Sequence, residues 1–396
     1  MNFNTLYPNF PFSLPMLLDG ATGTALFKAG MPSGVCPEEW ILSHPEVIHD
    51  IQTRYIEAGS DAVLAPTFGA NRTVLSRYGL DSSVKEMNQA LASVSRKAIG
   101  TKLLAGDLSP TGKMLAPVGD TSLEEMSAVF SEQAKALDSI VDFYMIETQM
   151  DLACARAAVL GVKAVSEKPI FVTMTVTESG KTMYGDTPEC ALLALSELGI
   201  SAFGLNCSTG PKEMKEILAP LFPLSVSLGI PLIAKPNAGA PQKDGTHSRL
   251  TADAFAAVGK ELLTSGIAVL GGCCGTDETI ISALHSVCKA FDGITDIPQT
   301  LPTENMASNA REWVEIPVAN MPEPIVPDED LIDNADEMSE DYDFLYFSVQ
   351  TEEDVDTILS SAPFLTLPIA ICGNEEAISI FKKNYCGKIV TVSDNG

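Results

Sequence analysis

The chain has 396 residues, 45% of them hydrophobic, and a formal net charge of −27 at pH 7. This charge argues against nucleic acids and anionic membrane surfaces as partners, because their phosphates need neutralising by Lys and Arg. No apolar run reaches the roughly 18 residues of a membrane-spanning helix, and the first 27 residues contain no Lys or Arg, unlike a secretory signal. Nine cysteines, an odd number, and no export signal predict a protein of the reducing cytoplasm.

Short apolar runs alternate with amphipathic stretches over most of the chain. The runs that we interpret as strands are Met16–Leu18, Ala62–Ala65, Leu103–Ala105, Phe143–Ile146, Ile170–Val176, Ala202–Leu205, Leu232–Ala234 and Ile267–Leu270. The stretches between them that are most typical of helices are Pro45–Ala58, Leu152–Val165, Pro188–Leu198 and Asp277–Ala290. This alternation predicts parallel strands joined by crossover helices, and eight such units in about 275 residues predict a (β/α)8 TIM barrel. An open doubly wound sheet stays an alternative, although it more often has fewer strands.

Unusual polar residues follow seven of these eight runs, at the point where the strand ends; the fifth run has none. They are Asp19, Thr67, Asn71, Asp107, Glu147, Cys207, Asn237, Cys273 and Cys274. In a barrel the carboxyl ends of all strands face one cup, where barrel enzymes place their chemistry. Each residue alone has an ordinary alternative as a cap or loop residue, so the prediction depends on their convergence.

Two adjacent cysteines lie between glycines in the stretch Leu270–Thr276, and a third, Cys207, follows the sixth apolar run. Three thiols at two strand ends could bind one soft metal ion, and zinc with three protein ligands and a fourth position open is a catalytic pattern. Alternatively, the cysteines are small buried hydrophobes or form a disulfide, although adjacent cysteines pair poorly. A redox protein is disfavoured because the chain contains no Cys-x-x-Cys.

The strings Gly271–Thr276 and Asn206–Ser208 closely resemble the signature of the zinc-dependent homocysteine S-methyltransferase family, which includes the N-terminal module of cobalamin-dependent methionine synthase. The resemblance covers roughly Met16–Ala290. Its other matching segments are Leu18–Thr24, Pro66–Asn71, Ala105–Pro110, Ile146–Thr148 and Pro236–Gly239. The resemblance implies a TIM barrel, in agreement with the periodicity, and one zinc ion per chain bound by Cys207, Cys273 and Cys274.

The same resemblance implies homocysteine as substrate, with its ammonium held by Glu147 and Asp19. Backbone N–H groups of the turn around Gly20, Thr22, Gly23 and Thr24 could receive its carboxylate, because anions favour such sites. Thr67, Asp107 and Asn206 complete the predicted substrate-binding set, and Asn206 is also interpretable as a supporting or turn residue. The chain departs from the family at Gln149 and at Lys235, which precedes Pro236 where an uncharged or acidic residue is usual.

The predicted chemistry needs no general base, because binding to zinc deprotonates a thiol and three thiolate ligands keep it electron-rich. Accordingly, each histidine is predicted to be structural. They are His44, His49, His247 and His285. The Asp-x-His-x-x-Gly motif of corrinoid proteins is absent from the sequence. Methylcobalamin is therefore predicted to arrive only on a separate protein. S-Methylmethionine and betaine are alternative donors, the latter disfavoured by Thr148. A non-catalytic binding or regulatory protein is a further alternative, and a homodimer stays open.

The composition changes near residue 292, which predicts a barrel over 1–292, a Pro-rich acidic linker over 293–340 and a small appendage over 341–396. The predicted β-α-β-α-β elements of the appendage are Asp343–Val349, Thr351–Leu359, Leu367–Ile371, Glu375–Tyr385 and Lys388–Val392. Their end faintly resembles an early part of the pterin-binding barrel of methionine synthases, but most of such a barrel is missing.

Overall fold

A computed structural model of the chain describes residues 1–239 and 249–393. The chain divides into two compact units. Unit 1 comprises Met1–Tyr184 and Ile200–Gln299, and unit 2 comprises Gly185–Gly199 and Thr300–Gly396. Among the described residues, no helix combines the length and apolar character that a membrane crossing needs.

Unit 1 contains eight parallel strands in one sheet. They are β1 (Met16–Leu17), β2 (Ala62–Leu64), β3 (Leu103–Leu108), β4 (Phe143–Gln149), β5 (Ile170–Met174), β6 (Ala202–Asn206), β7 (Leu232–Lys235) and β8 (Ile267–Leu270). Their order in the sheet is β1-β8-β7-β6-β5-β4-β3-β2. Nearly every strand residue is buried, as expected of parallel strands covered on both faces. All eight predicted strands are therefore confirmed.

The two ends of this sheet meet through hydrogen bonds that involve Asp61, just before β2, and Asp19, just after β1. The Asp61 N–H donates to the Leu17 carbonyl at 2.7 Å, and the Leu17 N–H donates to Asp61 Oδ2 at 2.9 Å. The Leu64 N–H donates to Asp19 Oδ2 at 2.9 Å. The sheet is thereby nearly closed, which confirms the (β/α)8 TIM barrel and brings the strand ends to one cup.

Helices follow the strands in the expected alternation. They are α1 (Phe3–Leu6), α2 (Thr22–Lys28), α3 (Pro37–Ser43), α4 (Pro45–Glu57), α5 (Arg72–Leu75), α6 (Val84–Ile99), α7 (Leu123–Leu137), α8 (Leu152–Lys163), α9 (Pro188–Ser196), α10 (Pro211–Leu218), α11 (Phe222–Leu228), α12 (Ala252–Thr264) and α13 (Glu278–Ala290). Side-chain caps begin several of them, including a capping box in which Ser122 and Glu125 bond each other's backbone N–H. The four predicted helices are confirmed.

Aromatic rings fill the amino-terminal end of the barrel. Phe143 begins β4 and Phe171 lies in β5, and their ring centroids are 4.6 Å apart. Phe10 and Phe12, from the segment before β1, contact these rings. This end of the barrel is therefore filled by side chains, and the polar strand ends lie at the opposite end.

Unit 2 is built on a three-stranded parallel sheet in the order β11-β12-β13. Its elements after residue 300 are β9 (Met306–Ser308), β10 (Trp313–Glu315), α14 (Leu331–Asp341), β11 (Leu345–Val349), α15 (Glu352–Ser361), β12 (Ile369–Gly373), α16 (Glu375–Asn384) and β13 (Val390–Thr391). The β-α-β-α-β order predicted for the appendage is confirmed.

The stretch 293–340, expected to be a linker, contains regular structure within unit 2. Strands β9 and β10 pair antiparallel, and α14 buries Leu331 and Ala335 in the core that includes Phe347. Leu331, Ala335 and Met338 share one helical face, a pattern that the surrounding acidic residues obscured.

Unit 2 also includes α9, which lies about 100 residues earlier in the chain than the rest of it. Helix α9 lies against β9. The N–H of Thr187, the residue before α9, donates to the Ala310 carbonyl at 3.0 Å. Glu197 and Lys388 form an ion pair of 3.5 Å. The packing of α9 against elements so much later in the chain cannot be predicted from the local sequence pattern.

Candidate metal centre

Three thiols converge at the ends of β6 and β8. Cys207 directly follows β6, and Cys273 and Cys274 lie shortly after β8. The three Sγ atoms lie within 4.8 Å of one another, and among the described residues they are the one such group of possible metal ligands. Cys207 Sγ is 2.6 Å from Cys273 Sγ and 3.7 Å from Cys274 Sγ, and all three cysteines are free of disulfides.

This donor set fits a tetrahedral soft metal ion. Zinc–sulfur bonds of about 2.3 Å in tetrahedral geometry separate neighbouring sulfurs by about 3.8 Å. The Cys207–Cys274 separation of 3.7 Å matches this value, whereas Cys207 and Cys273, at 2.6 Å, would have to move apart to bind the ion. Three protein ligands leave a fourth position for a substrate atom. Hydrogen bonds from Cys207 and Cys273 lower the pKa of Cys274 to about 3. The pKa of Cys207 is raised, because its thiol hydrogen bonds to Cys273 and Cys274. Of the three thiols, Cys274 is thus the most acidic.

The end of β7 lies between the two cysteine loops and holds both. The Cys207 N–H donates to the Lys235 carbonyl at 3.1 Å, and the Cys273 N–H donates to the Pro236 carbonyl at 2.8 Å. The Ala238 N–H donates to the Cys274 carbonyl at 2.9 Å. These backbone bonds fix the loops independently of the sulfurs, so the thiols are positioned by the sheet itself.

The backbone at these strand ends adopts the left-handed conformation that most residues avoid. Cys207 has φ +60°, Ser208 +57° and Thr148 +61°. Such values are uncommon without glycine and rarest for β-branched residues such as threonine. They persist only where surrounding contacts hold them, and they cluster at functional sites.

The buried amide of Asn206 supplies such contacts for Thr148. Its Oδ1 accepts hydrogen bonds from the Thr148 N–H at 2.8 Å and from Thr173 Oγ1 at 2.9 Å. Its Nδ2 donates to Thr148 Oγ1 at 2.8 Å and lies 3.9 Å from Cys273 Sγ. Asn206 therefore ties the ends of β4, β5 and β6 together beneath the cysteine cluster.

Glycines let the Cys273–Cys274 loop pass close to neighbouring side chains. Thr276 Oγ1 donates to the Cys273 carbonyl at 2.7 Å and accepts from the Ala21 N–H at 3.1 Å. A Cβ atom at Gly272 would lie 2.3 Å from Thr276 Oγ1, and Gly275 has φ +79°. Larger residues at these positions would displace the loop.

Four charged side chains lie together beside the cysteines. Asp19 follows β1, Asp107 lies near the end of β3, Glu147 lies in β4 and Lys235 ends β7. Lys235 Nζ is 2.6 Å from Glu147 Oε2, and their side chains are only 3% and 11% exposed. This charged group thus consists of three carboxylates and one ammonium.

Burial and mutual charge shift the acidity of this group. Burial raises the pKa of Asp19 to about 7, with Lys235 acting in the opposite direction. Burial also raises the pKa of Asp107 and of Glu147. Burial lowers the pKa of Lys235, but Glu147 and the other nearby anions outweigh it and hold the lysine charged.

The other predicted substrate residues lie around this group. Gly20 precedes α2, whose first turn contains Thr22, Gly23 and Thr24. The hydroxyl of Thr24 accepts from the Gly275 N–H at 3.2 Å, so this turn adjoins the cysteine loop. The hydroxyl of Thr67 donates to the Asp107 carbonyl at 2.9 Å and accepts from the Asp107 N–H at 3.2 Å.

Asn71 and the histidines are the further candidates that the sequence singled out. Asn71 caps α5, because its side chain accepts a hydrogen bond from the Val74 N–H. This is the capping role that the sequence analysis gave as the alternative to a functional one. His44 stacks on Trp40 with ring centroids 4.2 Å apart. His49 lies in α4 and His285 in α13, and His247 lies outside the described residues.

Lys235 is the site residue that the sequence analysis does not place. Its identity departs from the family pattern, but its contact with Glu147 was not predicted. A lysine at the end of an apolar barrel strand predicts a site residue just as a carboxylate does at that position, because both side chains face the cup.

Comparison with known proteins gives consistent matches. The sequence profile of the homocysteine S-methyltransferase family matches residues 16–288. Methionine synthase of Mycobacterium leprae (strain TN) is 32% identical over 301 residues, covering 70% of this chain and 25% of that protein. The Mycobacterium tuberculosis (strain ATCC 25618 / H37Rv) methionine synthase is 32% identical over 283 residues, covering 66% and 23%. The chain thus matches about a quarter of the length of these relatives.

Solved structures share the fold of unit 1. The metallated form of the homocysteine methyltransferase MmuM from Escherichia coli superposes with a TM-score of 0.58 at 22% identity, covering 68% of this chain and 95% of that one. Its apo form gives a TM-score of 0.55 at 23% identity, covering 69% and 95%.

Proposed function

Because the chain belongs to the homocysteine S-methyltransferase family, we propose that it is a zinc-dependent enzyme that methylates the thiol of homocysteine to give methionine. The observation that carries the proposal is the convergence of Cys207, Cys273 and Cys274 at the carboxyl end of the barrel. One zinc ion per chain would be held by these three thiolates. A thiol that binds the fourth position of such an ion loses its proton near neutral pH and stays a nucleophile.

The protein's own residues hold and orient the substrate. In the reaction the homocysteine thiol releases its proton, its sulfur forms a bond to the methyl group, and the donor keeps the electron pair of the bond that breaks. By resemblance, the acidic group of Asp19 and Glu147 receives the substrate ammonium, and the turn from Gly20 to Thr24 receives its carboxylate. Thr67 positions Asp107, and Asn206 supports the loop beneath Cys273.

The methyl donor proposed for this chain is a methylcorrinoid carried by a separate protein. Two relatives are methionine synthases about four times as long as the matched region, and the sequence printed here contains no Asp-x-His-x-x-Gly, the motif expected of a corrinoid-binding protein. In this proposal the barrel, 1–292, carries out the methyl transfer, and the segments 293–340 and 341–396 bind the corrinoid protein. A reducing compartment, the cytoplasm, would keep the three thiols available.

The test is a methyl-transfer assay on the zinc-loaded full chain. Homocysteine is offered with free methylcobalamin, S-methylmethionine or betaine in parallel, and methionine is measured. We expect product with methylcobalamin, about one zinc per chain, and loss of both in Cys207→Ser and Cys273→Ser. Cys288→Ser, on α13, is the matched control and should keep its zinc. Full zinc in either cluster variant would refute the site, and methionine formed only from another donor would refute the corrinoid proposal.

A further inference from the structure

Unit 2 carries most of the negative charge of the chain. Its residues, 185–199 and 300–396, include 23 Asp and Glu but only 4 Lys and Arg. The net charge of unit 2 is therefore −19, out of −27 for the whole chain, although it contains less than a third of the residues. Such a concentration of charge attracts a basic partner and repels nucleic acids, anionic membranes and a second copy of the same unit.

Strand β10 of unit 2 has one open backbone edge. It is the end strand of the antiparallel pair that it forms with β9. The Ile316 N–H, directly after β10, donates to the Asn305 carbonyl at 2.7 Å. Because hydrogen-bonded positions alternate with open ones in an antiparallel pair, Trp313 and Glu315 direct their N–H and C=O groups away from β9. An open edge of this kind can take up another extended chain.

A groove of about 480 Å³ lies against β10. Trp313 and Leu367 contribute apolar surface to it, and Trp313 is 47% exposed. Glu189, Glu312 and Asp343 contribute three carboxylates. An exposed tryptophan in a groove is suited to anchor a protein–protein contact, because it buries a large apolar surface when a partner binds.

The charges of this groove select a basic occupant. Among the described residues that line it, Arg311 is the one cation, so the three carboxylates outnumber it. The face of an indole ring also attracts lysine and arginine side chains, which place their charge over the ring. A second copy of the chain would instead bring its own Glu312 and Glu315 to the same edge, where like charges repel.

We propose that β10 binds an extended basic segment of a protein partner, which adds to the sheet as a strand and places a lysine or arginine side chain against Trp313 in the groove. Main-chain hydrogen bonds to the open edge contribute affinity, and the indole and the carboxylates contribute specificity. The binding surface is derived from unit 2 alone. Only the identification of the partner with the methyl-donor protein rests on the proposed function.

The test measures the binding of defined peptides to the full chain. The first probe is a capped peptide of alternating lysine and valine, about eight residues long. The second has glutamate in place of lysine, and the third is the first with its backbone amides N-methylated, which keeps the charge but removes the donors. Trp40 and Trp313 are the two tryptophans of the sequence, so in a Trp40→Phe chain the tryptophan emission reports the groove alone. The first probe should change this emission and bind at least about tenfold more tightly than the other two, because it alone combines basic side chains with strand-forming amides.

Calorimetry on single variants locates the binding surface. Trp313→Ala should weaken binding of the lysine–valine peptide about tenfold, since an anchoring tryptophan supplies much of the energy of a contact. Glu312→Gln should weaken it about threefold, because an attractive charge is lost, and Arg311→Gln should tighten it by a similar factor, because a repulsive charge is lost. Asp333→Asn, which removes an exposed carboxylate of α14 that does not line the groove, is the matched control and should leave the affinity nearly unchanged.

The outcomes that would overturn the inference are distinct. If Asp333→Asn weakens binding as much as Glu312→Gln, the peptide is held by diffuse charge and the groove is not its site. The inference is equally wrong if the glutamate or the N-methylated peptide binds as tightly as the first probe. Self-association of the chain that Trp313→Ala abolishes would make the occupant a second copy.

The proposed function fails in a different measurement. Methyl transfer from free methylcobalamin needs no protein partner, so Trp313→Ala should keep it at the level of the unaltered chain. A zinc-loaded chain without this activity refutes the proposed function, while peptide binding still decides the inference.

Discussion

Replacing Gly272 by alanine should loosen the loop that carries two of the three thiols. A Cβ atom there would lie 2.3 Å from Oγ1 and 2.7 Å from Cβ of Thr276, so the threonine side chain would have to move. That movement breaks the hydrogen bond to the Cys273 carbonyl and the one from the Ala21 N–H. The first of these bonds holds a metal-binding residue, and the second joins its loop to the segment before α2.

The size of the effect follows from these contacts. Two lost hydrogen bonds cost about 1–3 kcal/mol, and overpacking costs about 1–3 kcal/mol more. The free energy of unfolding should therefore fall by about 2–6 kcal/mol. At about 2–4 °C for each kcal/mol, the Tm of the barrel should fall by roughly 5–20 °C. Zinc content should fall with it, since Cys273 would lose the bond that fixes its carbonyl.

Differential scanning calorimetry and elemental analysis of the same samples measure both effects. Gly23→Ala is the matched control, because a Cβ there meets no other atom within 4 Å. Alanine is favoured over glycine within a helix by about 0.5–1 kcal/mol, so this control should keep or slightly raise Tm. An unchanged Tm and full zinc in Gly272→Ala would refute the reasoning, as would an equal loss in the control.

Three further outcomes are expected. Asn206→Ala should lower zinc affinity, measured by chelator competition, because the left-handed backbone of Thr148 loses its partner; unchanged affinity would contradict this. Gly204→Ala should sharply lower Tm, since its Cβ would lie 1.9 Å from the Ile233 carbonyl oxygen; a wild-type Tm would contradict this close approach of β6 to β7. Zinc release to a fixed chelator should increase as the pH falls, because protonated thiols such as Cys274 cannot bind it; release independent of pH would oppose thiolate ligation.

Much of the barrel could be predicted because its signals are local. Each strand is a buried apolar run, since helices cover both faces of a parallel sheet, and each strand end has a known place in the barrel. Cys207 and Cys273 could therefore be brought together without coordinates. Their spacing across β6, β7 and β8 follows from sheet order, and the structure places their sulfurs in contact.

Three other features could not be predicted, because they depend on contacts between residues that are far apart in the sequence. Lys235 and Glu147 belong to β7 and β4, which are not neighbours in the sheet, so their pairing depends on side-chain reach across the cup. The apolar face of α14 is hard to recognise in a sequence rich in acidic residues. It is evident in the structure because Leu331 and Ala335 are buried in the core of unit 2. The membership of α9 in unit 2 is a contact between distant parts of the chain.

That distant membership has a consequence for the order of biosynthesis. A ribosome adding about 5–20 residues each second needs several more seconds to reach residue 300 after completing α9. Throughout that interval β9, which lies against α9, and Ala310, which accepts the Thr187 N–H, do not yet exist. Unit 2 therefore cannot be completed while the barrel strands β6 to β8 are being made. Its assembly must wait for the last quarter of the chain, and a nascent chain arrested before residue 300 would present 185–199 without the partners that this unit provides.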